Sequence, residues 1–337
     1  MLDTRQLNNK PDPSPCLVVE PTRQVPDLVE DVRNGLLNVP RSLPPKYFYD
    51  AHGSVLFDKI CNTPEYYPTR TEERLLLVNS RDIIHSTQPE QILELGSGTS
   101  RKTRHLFDAC ESIDHTCEYA PFDVCAEMLE ETTEKLQDDY DWLNIQPLLG
   151  DYQAGLGNLP GIEGTRLFVF LGSTIGNFQR AEAISFINEI KGCMQPGDYL
   201  LLGADRVKDN RVLVAAYNDN QGITAEFNLN LLRVLNRELG ADFDLCGFDH
   251  HAEFNRELKR IEMHLVSNRE QEVCLNAMGE VIHFSKGDPI LTEISQKFSF
   301  EDIESILEQT GLKIIQHHEP GNRYFSLVLA QYDKPGW

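Results

Sequence analysis

The stretch ILELGSGTSRKTR, residues 92 to 104, constrains the fold most strongly. An apolar run ends in an acid, turns through two glycines and enters a basic stretch, which is the strand-turn-helix pattern of a nucleotide-binding unit. A dinucleotide-binding turn would have its third glycine at position 101, where this chain has Arg101. The stretch instead fits an acid-x-G-x-G pattern, formed by Glu94, Gly96 and Gly98 with the small Ser100 following. It therefore predicts a nucleotide-type ligand without a pyrophosphate.

Short apolar runs alternate with helix-like stretches over the first two thirds of the chain. The runs lie at residues 91–96, 118–124, 144–150, 166–172 and 198–204. Their lengths suit buried parallel strands joined by crossover helices. The pattern predicts an α/β fold with a doubly wound, Rossmann-like sheet. A further helix is predicted to open at Thr69, with Glu72 completing a capping box.

The alternation breaks after residue 209, which suggests four segments. Residues 1–65 form a helical N-terminal lead on the substrate side, of which 1–20 are expected to be a loose arm. Residues 66–209 form the cofactor-binding core. Residues 210–297 read as two helices and several strands, which predicts an inserted α+β substrate-binding subdomain. Residues 298–337 return to the core with one helix and two strands.

Composition limits the class of partner. The chain has 337 residues, with 31 Lys and Arg against 53 Asp and Glu, a net charge of -22. Such a charge repels nucleic acid and anionic membranes and favours small cationic ligands. The eight cysteines contain no C-x-x-C pair and no cluster with zinc spacing, which indicates free thiols and no metal. No apolar run reaches the roughly 18 residues of a membrane span, so we expect a cytoplasmic protein. We also expect it to be a monomer.

Acids at the ends of successive predicted strands indicate the cofactor. In an open α/β sheet the ligand lies beyond the carboxyl ends of the strands. Asp123 ends the second strand and can accept hydrogen bonds from both ribose hydroxyls. Asp151 and Tyr152 follow the third strand, where they can bind the adenine amine and pack near its ring. Lys102, one turn after the glycines, can reach a carboxylate of the cofactor.

The number of acids favours S-adenosylmethionine over NAD. A pyrophosphate requires a helix N-terminus that no carboxylates oppose, whereas this site gathers Glu94, Asp123 and Asp151. S-adenosylmethionine carries a sulfonium, an ammonium and two ribose hydroxyls, so it tolerates an acidic site. We therefore expect S-adenosylmethionine as co-substrate and no metal.

Several long motifs carry a more specific resemblance. They are YFYDAHGSVLFDKI, PEYYPTRTE, ELGSGTSRKTR, FLGSTIGNF, the DRVKD…VAAYND run, FNLNLLRVLNRELGAD and TEISQKF. Together they resemble the histidine-specific N-methyltransferases over about residues 25 to 333. The resemblance implies a class I methyltransferase sheet. It also implies transfer of three methyl groups from S-adenosylmethionine to the α-amine of L-histidine, which gives hercynine in the first step of ergothioneine biosynthesis.

The resemblance also implies site residues. The family's histidine contacts fall on Tyr66, Gly172, Asn177, Tyr217, Met263, Glu293 and Ser295. Its cofactor contacts fall on Gly96, Lys102, Asp123, Asp151 and Tyr152. At position 152 the family commonly has phenylalanine. A further family tyrosine near the amine falls on Tyr49. Tyr49 and Asn177 are the two candidate catalytic residues.

The chemistry of these side chains agrees with an imidazole ligand. A carboxylate beside a hydroxyl matches the two ring nitrogens, and Glu293 and Ser295 point to one side if TEIS is extended. For the amino-acid end, Asn177 offers both a donor and an acceptor. Tyr66 and Tyr217 offer hydroxyls to the carboxylate, although a tyrosine is more often a packed aromatic residue.

Three alternatives remain open from the sequence. A related methyltransferase can act on a tryptophan derivative, but an indole offers Glu293 a single donor and leaves Ser295 unused. A nicotinamide-dependent oxidoreductase is disfavoured by Arg101 and by the acids of the site. A binding module without catalysis is the third alternative.

Overall fold

The computed structural model describes residues 15–333. Most of the predicted N-terminal arm and the last four residues lie outside this part of the chain. The described strands are β1 (Leu17–Val18), β2 (Arg41–Ser42), β3 (Gln91–Leu95), β4 (Glu118–Asp123), β5 (Asn144–Ile145), β6 (Leu148–Leu149), β7 (Arg166–Phe170), β8 (Tyr199–Asp205), β9 (Phe248–Asn255), β10 (Arg260–Ser267), β11 (Gln271–Leu275), β12 (Glu280–Phe284), β13 (Pro289–Gln296), β14 (Leu312–His318) and β15 (Phe325–Tyr332).

The described helices follow the same alternation. They are α1 (Leu28–Asp31), α2 (Ala51–Cys61), α3 (Tyr67–Thr87), α4 (Arg104–Ser112), α5 (Ala126–Asp139), α6 (Arg180–Gly192), α7 (Asn210–Ala216), α8 (Ile223–Leu239) and α9 (Phe300–Gln309). Short 3-10 turns lie at Pro45–Phe48, Tyr152–Ala154, Thr174–Asn177 and Leu245–Gly247, and a π-helical turn lies at Val32–Leu36. Within residues 15–333 no helix is both long enough and apolar enough to cross a bilayer.

The main sheet confirms the predicted doubly wound fold. Its strand order is β1-β6-β4-β3-β7-β8-β15-β14, with β5 beside β4. The strands are parallel except β15, which runs antiparallel to β8 and β14. Apolar side chains fill both faces, with α6 and α9 on one side and α3 and α4 on the other. The chain order reverses at β3, so the ligand-binding switch point of such sheets lies beside this strand.

A second, smaller layer has its own core. A four-stranded sheet of order β2-β13-β10-β9 and the hairpin β11-β12 pack with α8 around a third apolar cluster. Strand β2 comes from the N-terminal lead and pairs with β13 through Arg41 and Ser42. The inserted segment leaves the core after β8 and returns where Phe298 bridges Arg206. We propose that the chain consists of the four segments 1–65, 66–209, 210–297 and 298–337.

The N-terminal region differs from the predictions in two places. The expected loose arm includes Leu17 and Val18, which pair in parallel with Leu148 and Leu149 at the edge of the main sheet. The helical pattern of residues 25–37 forms the short α1 followed by the π-helical turn rather than one continuous helix.

The predicted capping box at Thr69 and Glu72 is wrong. Helix α3 begins at Tyr67, two residues earlier, with Pro68 in its first turn, where a missing N–H costs little. Glu72 is fully buried instead. Both of its oxygens accept from the backbone N–H of Gly172 at 2.9 Å, and one accepts from the Lys102 ammonium. This carboxylate therefore ties α3 to the ends of β7 and of the glycine turn.

Gly203 in β8 provides a test of this arrangement. A Cβ at position 203 would stand 1.8 Å from Glu72 Oε1 and 3.3 Å from the Phe325 ring. We expect Gly203→Ala to lower the free energy of unfolding by about 1–3 kcal/mol, because it overpacks a buried site. Chemical denaturation measures this loss.

Gly192→Ala is the matched control, because Gly192 is exposed at the end of α6 and a Cβ there meets nothing within 4 Å. That variant should be as stable as the wild type or slightly more stable, since alanine favours helix. Equal stability of both variants would contradict the packing assigned to Glu72.

Candidate functional site

We place the candidate ligand cleft at the carboxyl end of β3, where the glycine turn lies. Gly96 and Gly98 have φ of +71° and +50°, which glycine adopts without strain. The Gly96 N–H donates to the Phe122 carbonyl of β4 at 2.8 Å, which fixes the turn against the neighbouring strand. A Cβ at Gly98 would meet nothing within 4 Å. The backbone of the turn is thus held firmly while one side stays open to a ligand.

Asp123 at the end of β4 organises this turn. Its Oδ2 accepts from the Gly98 N–H at 2.9 Å and its Oδ1 from the Cys125 N–H at 3.2 Å. The side chain is half-buried. A carboxylate oxygen has two acceptor positions, so each oxygen keeps one for a ligand. Asp123 can therefore shape the turn and still accept from a pair of ligand hydroxyls.

Glu94 occupies a different position from the one that the sequence suggests. It is only 4% exposed, and the Tyr119 hydroxyl donates to it. The Tyr119 oxygen also lies 2.6 Å from Ser100 Oγ in the glycine turn. Burial raises the pKa of Glu94 to about 7, and the hydrogen bond from Tyr119 opposes this rise. The structure thus places Glu94 in a buried supporting chain rather than on the cleft.

Asp151 and Tyr152 follow β6 and form another wall of the cleft. Asp151 Oδ1 accepts from the Gln153 N–H at 2.7 Å and so begins the 3-10 turn. The Tyr152 ring comes within 3.8 Å of the position that a Cβ of Gly96 would take. Its centroid lies 5.4 Å from that of Phe186, which backs the ring from the core. A planar group entering beside Gly96 would therefore meet the Tyr152 ring.

Lys102 and Gly172 meet at the switch point of the sheet. Gly172 follows β7 with φ of +77°, and a Cβ there would lie 3.7 Å from the Lys102 ammonium. Because one donor of Lys102 is used by Glu72, the ammonium keeps donors for an anionic group. Sequence reasoning missed this role of Glu72, because an acid three residues after a Thr in a helix carries no obvious signal of burial.

Four polar side chains on the other side of the cleft have free hydrogen-bonding groups. They are the hydroxyls of Tyr49 and Tyr66, the amide of Asn177 and the carboxylate of Glu293. Within the part of the chain that the structure describes, none of these groups has a hydrogen-bond partner. These four groups are therefore available to hydrogen-bond a ligand.

Aromatic packing holds the two free tyrosines. The Tyr49 ring meets Phe57 and Phe227 edge-on at 5.6 and 5.7 Å, and the Tyr66 ring meets Tyr217 edge-on at 6.1 Å. Tyr49 is 43% exposed, so part of its side chain stays accessible beside these rings.

Electrostatics link Tyr49 to both sides of the cleft. Burial, followed by the charges of Glu293 and Tyr152, raises the pKa of Tyr49 well above its ordinary value. Burial also raises the pKa of Glu293 to about 7, and the nearby Lys297 opposes that rise. Tyr152 belongs to the glycine-turn side and Glu293 to the smaller sheet. Tyr49 therefore stands where the two sides meet.

Strand β13 brings Glu293 and Ser295 to the same side, as predicted. Glu293 is paired across the sheet with the buried Met263, where the register of β10 and β13 shifts by a bulge. Ser295 Oγ lies 3.4 Å from the position that a Cβ of Gly176 would take. Asn177 follows Gly176 directly, so the 3-10 turn after β7 meets β13 at this point.

Lys297 is a site residue that sequence reasoning missed. It continues the alternation of Glu293 and Ser295, and this two-residue spacing was the available signal. Its ammonium donates to Ser295 Oγ at 2.8 Å and to the Tyr217 hydroxyl at 2.9 Å. The Tyr217 hydroxyl donates in turn to Ser295 Oγ at 2.9 Å. Its single proton is thereby used, so Tyr217 does not offer the free donor that the sequence suggested.

Comparisons with known proteins identify the family. A family model described as "Histidine-specific methyltransferase, SAM-dependent" matches residues 28–332. "Histidine N-alpha-methyltransferase" of Mycolicibacterium smegmatis is 46% identical over 286 residues, which are 85% of this chain and 89% of that protein. The protein of the same name from Mycobacterium tuberculosis is 44% identical over 303 residues, or 90% of this chain and 94% of that one.

A fungal relative matches over part of its length. "Ergothioneine biosynthesis protein 1" of Neurospora crassa is 32% identical over 303 residues, which cover 87% of this chain and 33% of the fungal protein. The family match covers nearly the whole doubly wound sheet and the inserted layer. The chain therefore belongs to the S-adenosylmethionine-dependent, histidine-specific methyltransferases, with the Rossmann-like sheet of class I methyltransferases.

Proposed function

We propose that this protein transfers three methyl groups from S-adenosylmethionine to the α-amine of L-histidine. The product is hercynine, and the reaction is the first step of ergothioneine biosynthesis. One observation carries the proposal. The free carboxylate of Glu293 and the hydroxyl of Ser295 stand on one face of β13, across a cleft from a glycine turn that suits the cofactor. The names of the relatives from two mycobacteria and a fungus support it.

The residues at the glycine turn fit S-adenosylmethionine. The open backbone at Gly98 admits the cofactor, and the two remaining acceptor positions of Asp123 suit the ribose hydroxyls. Asp151 and the Tyr152 ring suit adenine, while the ammonium of Lys102 suits the carboxylate of the methionine portion. The three acids predicted for this site divide their roles, because Glu94 supports the turn from within and the other two face the ligand.

The residues on the acceptor side fit histidine. Glu293 and Ser295 suit the two ring nitrogens, and the buried Met263, paired with Glu293 on the adjacent strand, provides an apolar neighbour. The free groups of Tyr66 and Asn177 suit the carboxylate and amine at the other end of the amino acid. Gly172, next to the Lys102 ammonium, marks the point where both substrates meet.

The chemistry needs alignment more than activation. Bound S-adenosylmethionine supplies a methyl group on a sulfonium, which is a good leaving group. The residues of this chain hold the neutral amine of histidine in line with that methyl and exclude water. Such positioning contributes about 7–11 kcal/mol to catalysis. Asn177 accepts a hydrogen bond from the amine through its amide oxygen, which directs the nitrogen lone pair.

Tyr49 orients the amine without ionising. Burial and the neighbouring Glu293 keep the pKa of its hydroxyl well above the ordinary value, so it remains a neutral phenol. A neutral phenol accepts an N–H hydrogen bond but holds no additional proton. We infer that the proton of the amine leaves to water in the cleft. The role of Tyr49 is therefore positioning.

Two rival functions are less well supported. A relative from Claviceps purpurea named "4-dimethylallyltryptophan N-methyltransferase" is 26% identical over 85% of this chain. Family membership alone thus leaves the acceptor open, and the Glu293–Ser295 pair favours imidazole because indole has one donor and no acceptor. Family membership argues against the nicotinamide-dependent oxidoreductase.

We further infer a cytoplasmic monomer that binds small molecules and needs no metal. The net charge of -22 disfavours contact with nucleic acid and with anionic membranes. The groups assigned above cover both substrates and the methyl transfer without a Lewis acid.

Mass spectrometry tests the proposed reaction. The protein is mixed with S-adenosylmethionine and the twenty amino acids, with and without EDTA. We expect mass increases of one, two and three methyl groups on histidine alone, and equal turnover in EDTA. Methylation of tryptophan in preference to histidine would overturn the assigned acceptor, and no turnover with retained cofactor binding would indicate a binding module.

Glu293→Ala tests the acceptor site. Loss of a charge-assisted hydrogen bond should lower kcat/KM for histidine roughly 10- to 100-fold at pH 8, while the Kd of S-adenosylmethionine stays within about twofold. Glu293→Gln is the matched control, because it keeps the volume and one acceptor oxygen, and it should show an intermediate loss. Equal loss of histidine turnover and cofactor affinity would count against the assignment.

Asp123→Ala tests the cofactor site. It removes the acceptors for the ribose and the anchor of the Gly98 N–H, so we expect the Kd of S-adenosylhomocysteine to rise at least about 10-fold by calorimetry. Glu127→Ala removes the same charge from an exposed position on α5 and should leave this Kd within about twofold. A Kd that rises equally in both variants would show that net charge, rather than the Asp123 contacts, governs binding.

A further inference from the structure

A buried charged cluster behind the acceptor site has no role in the function proposed above. Lys297 is 2% exposed and Asp205 is fully buried. Their ammonium and carboxylate are 2.9 Å apart, and Lys208 and the Tyr67 hydroxyl also bind Asp205. Burying such charges costs free energy even when they are paired. An apolar side chain at position 297 would fill the same space without that cost.

All three donors of Lys297 have defined partners. An ammonium has three N–H groups, and here they reach Asp205, the Tyr217 hydroxyl and Ser295 Oγ at 2.9, 2.9 and 2.8 Å. Asp205 keeps a second cation in Lys208, so Lys297 is not needed to neutralise it. The position of Lys297 is therefore explained better by its two hydroxyl partners than by the pairing of charges.

These contacts determine the direction of the Ser295 hydrogen bond. A serine oxygen accepts two hydrogen bonds, and here one comes from Lys297 and one from Tyr217. The Tyr217 hydroxyl accepts a hydrogen bond from Lys297 and donates its own proton to Ser295 Oγ. Ser295 consequently has no acceptor position left, and its remaining group is the O–H. Any ligand atom that pairs with Ser295 must be an acceptor.

We propose that Lys297 is a positioning residue that makes Ser295 a hydrogen-bond donor, so that the acceptor site selects a ring with one N–H and one unprotonated nitrogen. The inference rests on the proposed function and extends it to a specificity determinant. The N–H of the ring faces Glu293 and its bare nitrogen faces Ser295. The neutral imidazole meets both demands. An indole or a pyrrole leaves the Ser295 O–H unpaired in a buried site, which is costly.

The proposal predicts how Lys297→Met changes discrimination between rings. The probes are L-histidine and the two β-pyrrolyl-L-alanines, in which one or the other ring nitrogen is replaced by C–H. Calorimetry at pH 8 with S-adenosylhomocysteine present measures each Kd. We expect the wild type to prefer histidine over the better pyrrole by about 10- to 100-fold. In Lys297→Met this ratio should fall at least about fivefold, because Ser295 can then turn its proton to Tyr217.

A double-mutant cycle separates this role from a merely structural one. Ser295→Ala should lower the ratio by itself, and adding Lys297→Met should change it by less than about twofold, because Lys297 acts through Ser295. A structural lysine would instead weaken both amino acids alike and leave the ratio unchanged. The Kd of S-adenosylhomocysteine should stay within about threefold throughout. If Lys297→Met fails to fold, the double variant Asp205→Asn/Lys297→Met, which removes both charges of the pair, takes the place of Lys297→Met in the cycle.

The possible outcomes are distinct for the two proposals. An unchanged ratio in the folded Lys297 variant, or a further fall when Lys297→Met is added to Ser295→Ala, would overturn the role of Lys297 while leaving histidine methylation intact. Wild-type protein that binds the cofactor but neither binds nor methylates histidine would overturn the proposed function. A lowered ratio that depends on Ser295 would support the proposal.

Discussion

The buried carboxylate of Asp205 connects the two halves of this protein. It ends β8, where the inserted segment leaves the core, and its backbone carbonyl accepts from the Phe298 N–H, where that segment returns. Its backbone N–H donates to Ser173 Oγ at 2.8 Å, in the turn after β7. Its side chain binds Lys297 from one half and Tyr67 from the other. The relative position of the two ligand sides depends on these contacts, because a buried charge tolerates little displacement of its partners.

A second buried carboxylate fixes the floor of the cleft. Glu72 receives the Gly172 N–H and the Lys102 ammonium, so helix α3 is joined to the switch point of the sheet. Glu72 thus anchors the end of β7 from helix α3, as Asp205 anchors the end of the neighbouring β8. Both carboxylates make buried, charge-assisted hydrogen bonds, which hold their partners more rigidly than surface contacts would. Such rigidity suits a site where two substrates must be aligned.

The electrostatics of the cleft agree with cationic ligands. Burial raises the pKa of Glu293 to about 7, so the protein by itself disfavours its ionised form. A ligand with positive charge or N–H donors stabilises that form on binding. Lys297 works in the same direction at Glu293 from the protein side. In the proposed reaction, the sulfonium and the imidazole N–H provide the complementary groups.

Local patterns predicted much of the fold and part of the candidate site. The five apolar runs gave the parallel strands, and the glycine turn was recognisable because its backbone needs residues that tolerate positive φ. The spacing of Glu293 and Ser295 was readable because side chains alternate along a strand. The interpretation of Glu72 failed, since a capping box and a buried long-range partner have the same local sequence. Lys297 was missed because a lysine at the end of a strand is usually solvated.

The sequence by itself determined the sheet, the ligand turn and the family, because each depends on short-range pattern and on the identity of contiguous residues. Only the tertiary structure decided which polar groups stay free and which are used. Asp123, Glu94 and Asp151 look alike as acids at the ends of strands, yet Glu94 is buried while the other two remain partly exposed. The partners that contribute to this difference lie 25 residues away in the chain, Tyr119 for Glu94 and Gly98 for Asp123. Which donors and acceptors are paired depends on contacts that form only in the folded protein, so a short stretch of sequence cannot predict it.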